Sequence, residues 1–385
     1  MLRRTIAVVA AAIAFGGLGL AGPADAATPG SVFAWGSNVY GELGDGSTTS
    51  RPVAAPVPGV SDFVAIDSGR GHVIALKSDG TVVTWGENTF GQLGDGTRTH
   101  RRTPARVPGV TDVVAVAAGA DHSLAVRSDG TVLAWGWNGA GELGDGSGVV
   151  VQTSPVRVLN LTNATSVSAD VRHSLAVTRD GTVMAWGSNN GGQLGNDDVF
   201  ESRVPIPVEG LANVTGVSAG SEFSMASHAD GTVSAWGRNS HGQLGDGTFT
   251  SRPDPRPVSG LQGVVDIAAG GSHGLAVLAD GTVRAWGYNY YGQLGDGTTA
   301  DRRLPVHVGG LSGVTDVNGS LSHSIVAAAQ GQALAWGLNH RGQLGDGTTV
   351  NRSTPVPVTG LTGAQAVSAG SAVSAFSIAL VGSSS

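Results

Sequence analysis

Five histidines, His72, His122, His173, His273 and His323, stand at the start of HSLAV-like segments, and the chemistry open to them is metal ligation or proton transfer. Either role needs side chains that converge on one point. These five are spread one to a repeat, and Phe223 and Val373 fill the equivalent places in two others, so packing or a strand-to-strand hydrogen bond is expected of them instead. Asp45, Asp95, Asp145, Asp246, Asp296 and Asp346 recur in the same way, and all but Asp145 lie six residues before an arginine: Arg51, Arg101, Arg252, Arg302 and Arg352. Carboxylate catalysis of the glycosidase kind needs two acids flanking one bond. One acid per repeat reads instead as turn chemistry, with ion pairs of ~0–1 kcal/mol each tying the loops.

Two glycine patterns invite a phosphate-binding reading. Gly17-x-Gly19-x-x-Gly22 matches a dinucleotide fingerprint but has no βαβ context. The repeated GQLGDGT is followed by no helix whose N-terminus could hold an anion. Lys77 is the only lysine, which excludes a Walker motif and Schiff-base chemistry. No catalytic residue, metal or cofactor is expected.

The elements that position these residues follow from a period. Trp-Gly recurs at Trp35, Trp85, Trp135, Trp186, Trp236, Trp286 and Trp336, at intervals of 50, 50, 51, 50, 50 and 50 residues. Within the unit that begins at Val113, the segments VVAVAA, HSLAV and TVLAW are short, rich in β-branched and small apolar residues, and bounded by glycine or Asp-Gly. Asp129-Gly130 is a two-residue hairpin signal, repeated at Asp79, Asp180, Asp230 and Asp280. A weaker fourth strand follows at PVRVL, where proline suits an edge. Four antiparallel strands per repeat make a propeller blade. The seven tryptophans are expected to pack the blades, Leu43 and its equivalents to plug the gaps between them, and Asn38, Asn88, Asn138, Asn189, Asn239, Asn289 and Asn339 to form Asx turns.

The ends distinguish a ring from a solenoid. SVFAWG is the third strand of a unit without its predecessors, and AVSAGSAVSAFSIAL is a first and second strand without their successors. Pairing Val32–Trp35 with the strand around Ala375–Leu380 leaves no open edge of the kind that invites aggregation. The expected fold is therefore all-β: a seven-bladed propeller over 27–385, its closing blade built from 31–59 and 361–381.

Residues 1–26 read as a secretory signal peptide, with a cationic start, an apolar stretch and a small-x-small cleavage site at Ala24-Asp25-Ala26. Without them the chain carries 20 basic and 28 acidic residues, a balance that argues against nucleic acid held through its phosphates. Cysteine is absent, so a secreted domain of this size must be held by its core alone.

The string AWGxNxxGQLGDGT, with GxxHSLAV and DGTV, closely resembles the regulator of chromosome condensation repeat, over about 31–381. The resemblance implies a seven-bladed propeller, here in a secreted bacterial member. Nuclear members of that family are nucleotide exchange factors docked on chromatin. The export signal, the missing basic tail and the uniform repeat length here speak against that activity. The chain is also similar, more distantly, to the propeller-type beta-lactamase inhibitory protein. That family has aromatic residues in the two positions before the repeat histidine, and none of the twelve such positions read here, Arg70-Gly71 through Leu321-Ser322, is aromatic.

What distinguishes the blades from one another is the loop after Trp-Gly, which should emerge on the same face as the turn before the histidine. Its variable slots hold Tyr40, Phe90, Trp137, Arg238, His241, Tyr288, Tyr290, Tyr291, His340 and Arg341. Of 8 Trp, 4 Tyr and 8 Phe, seven are the Trp-Gly tryptophans and six fall in these slots. Aromatics and arginine are the types enriched in binding hot spots. The expected function is a secreted, monomeric, non-enzymatic scaffold that binds an extracellular protein through this face. Inhibition of an extracellular enzyme such as a beta-lactamase and binding of a cell-wall glycan are the alternatives.

Overall fold

The computed structural model describes residues 30–370 and 375–382. The expected signal peptide lies outside them, as does Val373. Seven antiparallel blades stand around a central channel, six continuous in sequence: blade 1 over 63–106, blade 2 over 113–157, blade 3 over 164–207, blade 4 over 214–257, blade 5 over 264–307 and blade 6 over 314–357. Blade 2 shows the pattern, with Val113–Ala118 innermost, then His122–Arg127, Val132–Trp137 and Val151–Arg157 outermost. Its outer strand begins before PVRVL because Val151 and Gln152 already pair with Trp137 and Gly136.

Blade 7 joins the two ends of the chain. Ala364–Ala369 pairs with Phe376–Gly382, which pairs with Gly30–Gly36, which pairs with Arg51–Pro56. The register sets Val32 opposite Leu380 and Trp35 opposite Ser377.

Each Trp-Gly marks an irregularity in the pairing with the outer strand. Gly136 has φ +107°, and a Cβ there would lie 2.4 Å from the Asp121 carbonyl oxygen, so only glycine fits. The tryptophan before it is fully buried between blades: Trp186 of blade 3 packs with Leu143, Ala134 and Val132 of blade 2. Leucines of the loop, Leu43 among them, are fully buried at the same seams.

The inner strands are the free edges of the blades, and polar side chains of the preceding blade occupy their N–H groups. Ala118 N donates to Asp67 at 2.8 Å, Ala219 N to Ser168 at 3.1 Å, Ala269 N to Ser218 at 2.9 Å and Val367 N to Asp316 at 2.8 Å. This is how the ring covers edges that would otherwise recruit another chain.

Candidate binding face

The histidines form a buried relay between blades. His72 Nε2 lies 3.0 Å from Ser123 Oγ of the next blade, and the same contact joins His122 to Ser174, His173 to Ser224, His273 to Ser324 and His323 to Ser377. Ser123 Oγ donates to the Gln92 carbonyl at 2.9 Å, an oxygen that also accepts from Trp135 Nε1 at 2.9 Å. A hydroxyl has one proton, so Ser123 accepts from His72 and the imidazole carries its hydrogen on Nε2. Burial lowers His72 to about 3 and His122 to about 4. The pairs look like catalytic dyads, but fully buried, neutral imidazoles meet no substrate.

The structure corrects one sequence assignment. Phe376, not Val373, stands in the histidine place of blade 7, opposite Gly36 as His72 stands opposite Gly86; six residues separate it from the strand that ends at Ala369, where three separate His122 from the strand that ends at Ala118. The two seams without histidine also lack the serine. Phe223 faces the blade that carries Gly274, and Phe376 the blade that carries Val73. Comparing each histidine with the residue after the next one would have exposed this pairing in the sequence.

The loop after Trp-Gly is a fixed frame. In blade 5, Asn289 Oδ1 accepts from Leu294 N at 3.0 Å, and its Nδ2 reaches Asp296 Oδ1 at 3.2 Å and the Ala300 carbonyl at 3.0 Å. Gln293 Oε1 accepts from Tyr291 N at 3.0 Å, and Asp296 pairs with Arg302 at 2.7 Å. The five expected Asp–Arg pairs all form. Sequence reasoning missed one element, a polar residue just before the loop arginine that bonds the asparagine N–H: Ser50, His100, Ser251, Asp301 and Asn351.

On this frame the variable slots divide by position. The fifth residue after the tryptophan packs against the second residue after the tryptophan of the next blade: Phe90 on Trp137 at 4.8 Å, and His241 on Tyr288 at 4.6 Å. Tyr40 instead packs against His100, at 5.1 Å. These slots are partly spent on holding neighbouring loops together. Arg238 pairs with Glu222, and His241 with Asp301 at 2.9 Å. The fourth residue points outward. Tyr290 is 66% exposed, while its ring stacks parallel to Tyr288 at 6.4 Å and meets Tyr291 edge-on at 5.0 Å. His340 and Arg341 are exposed on the next blade. The ten residues thus lie on one face, but in a belt around it and not in a single pocket.

Among the described residues the channel brings together no comparable set of aromatic and basic side chains. Along it lie two cavities of about 70 Å³, lined by Asp67, Ser168, Ser218 and Asn318, enough for a few waters. Asp266 and Asp316 are buried beside each other, and desolvation with mutual repulsion holds Asp266 well above the usual carboxylate range. Among the described residues no three His, Asp or Glu side chains gather as a metal site.

One buried acid gives a test of the frame. Glu142 occupies the place of Gln92, Gln193, Gln243, Gln293 and Gln343; its Oε2 accepts from Ala140 N at 2.8 Å, and burial raises its pKa to about 7. A raised folded-state value means the stability it contributes is complete below the ordinary glutamate range and is lost as pH rises through about 7. Glu142→Gln should therefore match the parent in thermal stability near pH 4 and exceed it at pH 8. Equal melting temperatures at both pH values would contradict a buried, proton-holding Glu142.

The fold is a seven-bladed propeller that carries a belt of aromatic and basic side chains on one rim. The RCC1-like domain model matches residues 152–380, more than half the chain, and the regulator of chromosome condensation (RCC1) repeat models match 29–76, 79–126, 63–92 and 113–142. The chain belongs to the RCC1-like domain family. Similar solved structures include human WBSCR16, at 24% identity and TM-score 0.82, covering 92% of this chain and 99% of that one. They also include Prp20p of Saccharomyces cerevisiae, at 24% identity and TM-score 0.81, covering 96% and 93%, from a study of its binding to Gsp1p and histones. Prp20 bound to Kap60 aligns at 23% identity and TM-score 0.82, covering 100% and 95%. No curated protein matches the chain.

Proposed function

We propose that this propeller is a secreted, non-enzymatic scaffold that holds an extracellular protein through its loop face. The observation that carries the reading is Tyr290, a ring left 66% exposed yet flanked by two neighbouring rings on a loop tied by Asn289, Gln293 and Asp296. A large aromatic with little conformational freedom left to lose is what a binding hot spot requires. Protein partners of the similar yeast structures support interaction as the use of the fold, but at that identity they do not name the partner here. The test is affinity capture from culture supernatant and cell envelope with the intact chain, beside the variant carrying Tyr288→Ala, Tyr290→Ala and Tyr291→Ala. The variant should retain its fold and lose the captured protein. Retention of the protein by both would refute the face assignment.

A further inference from the structure

The charges on the loop face are distributed unevenly. Acids in the variable slots lie on blades 1, 2 and 4, as Glu87, Asp121 and Glu222, and each is engaged: Glu87 by Thr89 at 3.0 Å, Asp121 by Arg70 and Glu222 by Arg238. The slots of blades 5 and 6 hold no carboxylate. The nearby Asp301 spends both oxygens, one on Asn289 N at 2.8 Å and one on His241 at 2.9 Å. Arg341 is exposed and, among the described residues, makes no side-chain hydrogen bond or ion pair. In a chain with 29 acids and 22 bases, the sector of blades 5 and 6 presents an exposed guanidinium with no ion pair among the described residues and, on the adjacent blade, an exposed aromatic ring.

The two features stand on the loops of adjacent blades at the same face of the propeller. The fifth slot of one blade packs on the second slot of the next, as His241 does on Tyr288 at 4.6 Å, so Tyr291 is turned toward blade 6 and Arg341, in the same slot of blade 6, toward blade 7. A ligand that meets both Tyr290 and Arg341 is therefore an extended segment crossing the two loops. A guanidinium presents a planar fork suited to a carboxylate, and exposed rings suit an apolar or aromatic side chain.

We infer that the sector from Tyr288 to Arg341 docks an extended acidic segment of the protein partner, with a carboxylate on Arg341 and, further along the same segment, an apolar or aromatic side chain on Tyr290. The inference rests on the protein-binding reading of the same face and supplies the partner's chemistry. Tyrosine hydroxyls and a free arginine would also suit an acidic polysaccharide. The peptide is favoured because the protruding, propped ring offers a protein the single anchor that hot spots use.

The probe is a random copolymer of glutamate and tyrosine, with polyglutamate, polylysine and polygalacturonate for comparison, titrated into the intact chain at low and physiological salt. The copolymer should bind saturably, more tightly than polyglutamate, and weaken as salt rises. Arg341→Glu should weaken it at least tenfold and Tyr290→Ala at least fivefold. Arg256→Glu, the same charge change on the outer strand of blade 4, should stay within twofold. Absence of copolymer binding, equal loss in the Arg341 and Arg256 variants, or tighter Arg341-dependent binding of polygalacturonate would each overturn the inference. If the triple tyrosine variant loses the captured protein while Arg341→Glu keeps it, the binding face stands and the acidic partner falls.

Discussion

Deletion of residues 361–385 is expected to abolish cooperative unfolding. The deletion removes Ala364–Ala369 and Phe376–Gly382, and with them seven register pairs that hold Gly30–Gly36 in the closing blade. It also removes Ser377, which completes the relay from His323, and strips Trp35 of Val367, Ala369 and Ala379, with which it shares a buried cluster. Two blade edges would open to solvent, and the inner-strand acceptors on blade 6, Asp316 and Asn318, would lose the N–H groups of Val367 and Ala369. Circular dichroism followed against temperature should show a broad, low transition and a concentration-dependent loss of soluble protein. A sharp transition at the parent's temperature would mean that the ring is not closed by its ends.

Gly274→Ser is expected to destabilise the fold by about 1–3 kcal/mol, the usual range for overpacking a core. By repeat comparison alone the substitution looks stabilising, since Ser123, Ser174, Ser224, Ser324 and Ser377 hold that place in other blades. The structure reverses the sign. A Cβ at Gly274 would stand 2.4 Å from Trp286 Cε2, and the residue facing it across the seam is Phe223, whose ring has no N–H for the new hydroxyl to accept. The double variant Phe223→His with Gly274→Ser should lose less stability than the two single variants combined, by a coupling of about 0.5–3 kcal/mol typical of contacting residues. Denaturant titration of the four proteins measures this. A stabilising Gly274→Ser would show that the seam between blades 4 and 5 adapts freely and that its Phe–Gly pair is not a matched one.

The seven-fold period, the inner three strands of each repeat and the closure of the ring were legible because each rests on residues written many times or on the terminal strands: Trp-Gly, the Asp-Gly turn and the unpaired ends. The contents of the loops were legible where a side chain answers to its own backbone, as Asn289 and Asp296 do. What the period concealed were contacts between repeats. The His72–Ser123 bond spans 51 residues, and Ser68 meets Ser368 at 2.6 Å across 300, so neither falls within a single unit of the pattern. The placement of Phe376 was lost for a related reason: counting along a fixed period fails where one repeat spaces its first two strands differently from the rest. For the binding face, the sequence showed which slots vary but not which way they point. Trp137 and Tyr288 occupy variable slots yet serve partly to stack on the preceding blade, whereas Tyr290 projects outward.

The claim that this outward row is the working surface is tested most directly by calorimetric titration of the captured partner into the intact chain and into the variant with Tyr288, Tyr290 and Tyr291 replaced by alanine. Removing a central aromatic cluster should weaken binding by at least about 2 kcal/mol, roughly thirtyfold, while the thermal transition stays within a few degrees because none of the three rings belongs to a buried core cluster. Unchanged affinity with an unchanged fold would contradict it and move the site to another arc or to the opposite face.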